Sequence, residues 1–277
     1  MSKSPLWLTA RLDISESLRA RWFLLYALVF GGIIMLLFLF GLTESRVMGF
    51  TGLSRLLITY IQLCMAILPI FVLITTVRSV AGDREAGVFE YMLSLPVTLA
   101  AWFWGKMIGR FIVVFLPVFV AMLAAAVWGA FKGLDVPWSQ FFLYSGLLVS
   151  LAWCFLGVGM LISTLARSPD VAQSAAFMTW LFLLVFLDLI LLGVLIRERA
   201  PLELVVGIAV LNPLQSFRTG ALLLFDPQLV LIGPAAFVIL DALGAKGYMA
   251  FALLYPLVVG SLAGFVGYRL FRRGDLP

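Results

Sequence analysis

The chain has 277 residues, of which 64% are apolar and 12% charged, with a formal net charge of +5. Soluble domains carry about 25% charged residues, and a globule of this size cannot hide so much apolar surface in one core. An ordinary soluble enzyme is therefore excluded, and the composition predicts a polytopic membrane protein. Histidine is absent, which excludes His-based catalytic triads, HExxH zinc sites and His-ligated haem. Cys64 and Cys154 stand alone in apolar runs, so neither a disulfide framework nor a structural metal site is expected.

In chain order, the first predicted element is an amphipathic helix over residues 5–21. Leu8, Leu12, Leu18 and Trp22 fall at roughly helical spacing, with Arg11, Asp13, Glu16 and Arg19 between them. Such a helix lies on a membrane surface, either as a plain anchor or as part of a docking face. About 20 apolar residues cross a bilayer, and six stretches are long enough. They are Trp22–Leu42, Leu56–Val77, Phe111–Phe131 (extended inward through Lys106 and Arg110), Val136–Ala166, Val171–Ile196 and Gly247–Tyr268. The first is too long for a cleaved leader and is expected to stay as an anchor.

Lys and Arg set the orientation. With both termini in the cytoplasm, the inside holds Lys3, Arg11, Arg19, Arg21, Arg78, Arg84, Lys106, Arg110, Arg167, Arg269, Arg272 and Arg273, twelve of the 19. The outside holds the other seven: Arg46, Arg55, Lys132, Arg197, Arg199, Arg218 and Lys246. The segment 198–246 is apolar but broken by Pro201, Pro213, Pro227, Gly233 and Pro234. Broken backbone is not tolerated against lipid, so short outer-face helices, partly re-entrant, are expected there; a spanning helical pair is the alternative.

Between the second and third spans lies the largest cytoplasmic excursion, residues 79–96. Asp83, Glu85 and Glu90 are interleaved with Phe89 and Leu93, acidic residues come first, and Pro96 stops the run. A helix of roughly ten residues exposing charged and aromatic groups is expected. On physical grounds alone it reads as a solvated amphipathic loop.

The run Glu85-Ala86-Gly87-Val88-Phe89-Glu90-x-Met92-Leu93-Ser94-Leu95-Pro96-Val97, followed by Gly105-Lys106, resembles the "E-x-G-T-x-E-x-L-L-x-x-P-V … G-K" run of ABC-2 type transporter permeases. Val88 replaces the Thr. Leu18-Arg19-x-Arg21-Trp22, Phe186-Leu187-Asp188-Leu189, Leu211-Asn212-Pro213 with Phe217-Arg218, and the basic ending Tyr268–Arg273 resemble the NosY branch of that family, which serves copper-enzyme maturation in denitrifiers. The resemblance spans nearly the whole chain through short motifs.

It implies an all-α polytopic fold of the type V, ABC-2 exporter kind. That fold has six transmembrane helices, an N-terminal interfacial helix, a cytoplasmic coupling helix and short outer-face helices before the last span, in a single domain over 1–277. Asp83, Glu85, Gly87, Phe89, Glu90, Leu93, Pro96 and Lys106 would then couple to an ATPase. Asn212, Pro213 and Arg218 would meet a periplasmic partner. Implied partners are two copies of a NosF-like ABC ATPase, a second copy of the chain, a NosD-like β-helical periplasmic protein and membrane lipid, with no nucleic acid. ATP and Mg would sit on the ATPase, with no cofactor on this chain.

The residues themselves leave alternatives. Asp188 in an apolar helix costs roughly 2.5–3.5 kcal/mol on insertion scales; it either changes partner between transport states or makes one structural hydrogen bond. Asn212-Pro213 is either a capped turn or part of a contact surface. The pairs Gly105/Gly109 and Gly260/Gly264 let helix backbones approach, ordinarily within one chain. The ten methionines form no MxM or MxxM cluster, so they read as core filling and no copper path is visible. No GxxxxGK[ST] loop exists, since Gly105-Lys106 is followed by Met107; ATP binding by a P-loop is excluded. A membrane enzyme lacks convergent acid and base groups, and a passive channel would leave the acidic loop without use. A general exporter of a lipid or hydrophobic compound shares every inner-face feature.

Overall fold

A computed structural model describes residues 4–19, 28–29, 32, 50–93, 97–131, 138–197, 201–224, 228–229 and 234–273. The described residues form helices and short turns, without strands. The helices are α1 (Pro5–Arg19), α2 (Phe50–Thr76), α3 (Arg78–Glu85), α4 (Val88–Leu93), α5 (Leu99–Phe131) and α6 (Trp138–Leu165). Then come α7 (Pro169–Leu181), a π-helical segment (Phe182–Phe186), α8 (Leu187–Arg197), α9 (Leu202–Val210), α10 (Pro213–Leu223) and α11 (Ala235–Arg273).

Five stretches are long and apolar enough to cross a membrane: Gln62–Glu85, Leu99–Trp128, Trp138–Leu165, Pro169–Val194 and Ala235–Arg273. The expected first span, Trp22–Leu42, lies outside the described residues except for Leu28, Val29 and Gly32. Two boundaries differ from the sequence reading. The last span was placed at Gly247–Tyr268, whereas α11 runs from Ala235 to Arg273 and turns sharply at Gly244 (φ 66°, ψ 167°). Its first nine residues form a separate arm, because the backbone leaves the helical region at Gly244. The inner loop is not one ten-residue helix but two, α3 and α4, separated by Ala86 and Gly87.

Helix α6 occupies the centre, packed against α2, α3, α5, α7, α10 and α11. Its main neighbour is α11. Their backbones touch at Gly157 and Gly260, where a Cβ on Gly260 would stand 2.7 Å from the Cα of Cys154. Only two glycines allow that approach. Ser150 Oγ donates to the Leu253 carbonyl (2.6 Å) and Trp153 Nε1 to Ser261 Oγ (3.0 Å), so polar groups in the crossing are paired. Around it Leu147, Leu148, Leu151, Phe155, Met107 and Phe103 form a core at most 1% exposed. By contrast, the span through α7, the π segment and α8 buries few of its residues, Ala172, Ala176 and Leu191 among them.

Two ends follow from these contacts. The near end gathers α1, α3, α4, the start of α5 and the ends of α6 and α11. The far end gathers α9, α10, the arm of α11 and the start of α6.

Candidate functional site

At the near end, α3 follows α2 through the single residue Val77, which offers no side-chain cap. Helix N-termini leave backbone N–H groups without intrahelical partners. Here the cap comes from α6: Ser163 Oγ accepts from the amides of Val80 (2.9 Å) and Ala81 (3.1 Å). Arg84 donates from Nη1 to the Ala166 carbonyl (3.2 Å). Lys106 of α5 pairs with Asp83, donates to the Ser79 carbonyl (3.2 Å) and lies 4.8 Å from the centre of the Trp102 ring. The α3 segment is thus held by α5 on one side and α6 on the other.

Between α3 and α4 the chain reverses at Gly87, whose φ of +68° is the left-handed conformation that glycine adopts without penalty. Arg84, Glu85, Ala86 and Gly87 are exposed at this elbow, and Tyr91 is 68% exposed. Phe89 corrects the sequence expectation: it is 3% exposed, not presented outward. Its ring sits 5.1 Å from Trp102 and 5.2 Å from Phe271, edge-on and tilted. A short α4 carrying one aromatic on its inner face buries that ring and leaves the elbow outside. Of the predicted coupling residues, Asp83 and Lys106 neutralise each other, Glu85 and Gly87 form the exposed elbow, and Phe89 anchors it. Pro96 and the side chains of Glu90 and Leu93 lie outside the described residues.

Helix α1 lies along α5, over the predicted glycine pair. A Cβ on Gly105 would stand 2.8 Å from the Leu6 carbonyl, and one on Gly109 2.9 Å from that of Ala10. The face turned inward carries Asp13 and Ser17, 2% and 3% exposed. Trp7, Leu8, Leu12 and Leu18 are 45–59% exposed, beside the exposed Arg11, Glu16 and Arg19. An outer face that mixes large apolar and charged side chains suits a membrane surface. Arg110 Nε binds Asp13 Oδ1 at 3.1 Å, while its Nη1 donates to the Thr75 carbonyl at 3.1 Å. One guanidinium therefore joins α1, α5 and the end of α2. Burial pushes the Asp13 carboxyl above its ordinary 3.8, and the charges of Arg110 and Lys106 pull against that rise.

The far end is built differently. Asn212 caps α10, accepting from the Leu214 amide (3.1 Å), with Pro213 at the first helical position. Its Nδ2 also donates to the Leu183 carbonyl at 2.7 Å. Leu183 lies in the π segment, where the i→i−4 ladder is interrupted. Asn212 thus closes two backbone irregularities at once. Asp188 lies in the first turn of α8, directly after the π segment. Gln215 Nε2 donates to Asp188 Oδ2 at 2.6 Å. Arg218, one turn further along α10, is half-buried and makes no ion pair among the described residues. An open cleft of about 890 Å³ separates α9 from the α11 arm, with Glu203 and Asp241 among its lining residues.

The predicted residues therefore divide between two ends and do not converge on one pocket. Among the described residues no three His, Cys, Asp or Glu side chains come together. Sequence reasoning missed Asp13 and Ser163 as structural partners. Arg110 was visible as a charge inside an apolar run, but Asp13 lies 97 residues earlier, and no local pattern joins them.

This architecture has relatives. A family model for ABC-2 family transporter proteins matches residues 7–276. The chain belongs to the ABC-2 transporter family. It is 26% identical over 280 residues, 98% of this chain and 99% of the other, to the probable ABC transporter permease protein NosY of Stutzerimonas stutzeri. It is 25% identical over 228 residues, 79% of this chain and 82% of the other, to the protein of the same name in Pseudomonas aeruginosa. As an ABC-2 permease it is a multi-pass membrane protein, the subunit kind that is normally not catalytic itself.

Proposed function

We propose that the chain is the permease of an ABC transporter whose separate ATPase docks on the Arg84–Gly87 elbow. ATP hydrolysis on that partner would move α3 and α4, and with them the bundle. The observation that carries the reading is the elbow itself. It is exposed, set at a glycine in the left-handed region, and fixed to the bundle by the buried ring of Phe89 and by Asp83–Lys106. The twelve-to-seven Lys/Arg bias supports six spans in a bacterial inner membrane with the elbow and both termini in the cytoplasm. A half-size permease needs a second copy to enclose a path, so the working unit is a homodimer with two ATPases. ATP and Mg belong to the partner, and this chain holds no cofactor.

The similarity to NosY proteins over nearly the full length supports a NosY-like role in maturing the copper sites of nitrous oxide reductase. The far-end helices would then grip a NosD-like periplasmic protein. The test is gentle purification of the tagged chain from its native membrane, with mass spectrometry of what accompanies it. An ABC ATPase together with a periplasmic repeat protein is the expected result. An ATPase alone would redirect the assignment to a general exporter of a lipid or hydrophobic compound, and no ATPase would overturn the elbow as a docking site.

A further inference from the structure

Movement at the near end must reach the far end, and the described spans differ in their fitness to carry it. Pro69 interrupts α2, Pro117 interrupts α5, and Pro256 and Gly244 interrupt α11. The span through α7 and α8 contains the π segment. Helix α6 has no proline and no irregular residue over its 28 positions. It is also the span buried most completely among the five. Prolines, Gly/Ser pairs and π turns are where helices bend; of these α6 has only Ser145-Gly146, where Gly146 packs against Leu253 of α11, so α6 is the stiffest member.

Helix α6 is also fastened at both ends. At the near end Ser163, fully buried, caps α3, and the Ala166 carbonyl just beyond the helix takes Arg84. At the far end Gln140 Nε2 donates to the Leu224 carbonyl at 3.0 Å, where α10 finishes. Tyr144 packs on Phe217 with ring centres 5.9 Å apart, and Leu147 lies beneath Gly220. Gln140 and Ser163 are about 35 Å apart along the axis, the reach of a whole bilayer core. Helix α2 also touches both regions, but its ladder breaks at Pro69 and the chain turns at Val77 before α3.

We infer that α6 is the strut of this permease, with Ser163 the positioning residue that ties the elbow to it and Gln140 the one that ties it to α10. This rests on the reading that an ATPase docks at the elbow. Displacement of α3 is then delivered to α10 as an axial or tilting movement of one rigid helix, while the proline-bearing spans bend around it.

The test uses the full complex of permease and ATPase in lipid nanodiscs. Cysteine replaces the exposed Gln228, four residues beyond Leu224, and is labelled with a water-soluble maleimide; the native Cys64 and Cys154 are buried. Trapping the ATPase with ATP and vanadate is expected to change the labelling rate several-fold. Ser163→Ala and, independently, Gln140→Ala should reduce that change at least fivefold while ATP hydrolysis continues, and Ser163→Thr should restore it. Full change in both alanine variants, or no change in the parent complex that still hydrolyses ATP, overturns the strut. A chain that brings no ATPase refutes the docking reading instead. If Ser163→Ala fails to assemble, Gln140→Ala, at the opposite end from the docking elbow, decides the matter.

Discussion

The two ends of the bundle solve the same problem with different chemistry. At the near end, buried polar groups are joined by full charges: Asp13 to Arg110, and Asp83 to Lys106. At the far end, neutral amides do the joining: Asn212 to the Leu183 carbonyl, Gln140 to that of Leu224, and Gln215 to Asp188. At the near end long basic side chains reach across helix surfaces to the carbonyls of Thr75, Ser79 and Ala166. The far end has short helices in tight turns, where a compact amide that both donates and accepts is the better fit. This chain uses charge to hold helices together at one end, and amides both to join helices and to mend irregular backbone at the other.

The strongest way to break that pattern is Asp13→Ala. It strands Arg110 among α1, α2 and α5, and losing one partner of a buried pair costs about 3–5 kcal/mol. A large drop in melting temperature in detergent is expected, and a drop no larger than that of a surface variant would refute the role assigned to the pair. The same carboxyl gives a pH dependence. Its folded-state pKa lies above the unfolded 3.8, so the folded chain holds the proton over the window between the two. Stability therefore falls as pH rises through that window and levels off above it. Asp13→Asn should flatten that part of the melting profile, and an unchanged profile would assign the slope to another group.

Next in size is Asn212→Ala at the far end. It removes a cap and leaves the Leu183 carbonyl unpaired, together about 2–3 kcal/mol. Asn212→Asp keeps the cap but loses the donor, so it should recover only part of the loss; full recovery would show that the Leu183 contact contributes nothing. Gly87→Ala meets no neighbouring atom and should cost only the left-handed backbone penalty, about 1–2 kcal/mol. The smallest change is Asp188→Asn, which can still accept from Gln215 and should shift stability by about 0.5 kcal/mol or less. Normal stability with lost transport activity would mark Asp188 as a working group. Lost assembly would mark it as a structural one.

Much of the fold could be read directly, because the solvent of these helices is lipid and length in apolar residues is what lipid demands. Of the expected span Val136–Ala166, the described residues are helical from Trp138 to Leu165, one residue short at its end. The Asn212-Pro213 turn was visible in the residues, since both act locally. What could not be read is which distant group each polar residue meets. The π segment Phe182–Phe186 is FLLVF, five apolar residues with nothing to mark the break that Asn212 fills. The spacing of Leu8, Leu12 and Leu18 declared an amphipathic α1 but not which face turns inward. In water the leucines would be buried; beside a membrane the buried face holds Asp13. Phe89 shows the same ambiguity. Its alternation with charged residues predicted an amphipathic helix, and only the rings of Trp102 and Phe271, 13 and 182 residues away, decided that it points into the bundle.

The glycine crossing of α6 and α11 has a consequence for how the protein is made. Ser150 and Leu253 are separated by 103 residues, so α6 leaves the ribosome long before its principal neighbour exists. Until then the groove at Gly157 faces lipid with its backbone bare of side chains and Ser150 short of its carbonyl. A helix made 103 residues later is the one that fills it, so the bundle closes only when translation has passed residue 260. A truncated chain that lacks α11 has an open seam at its centre.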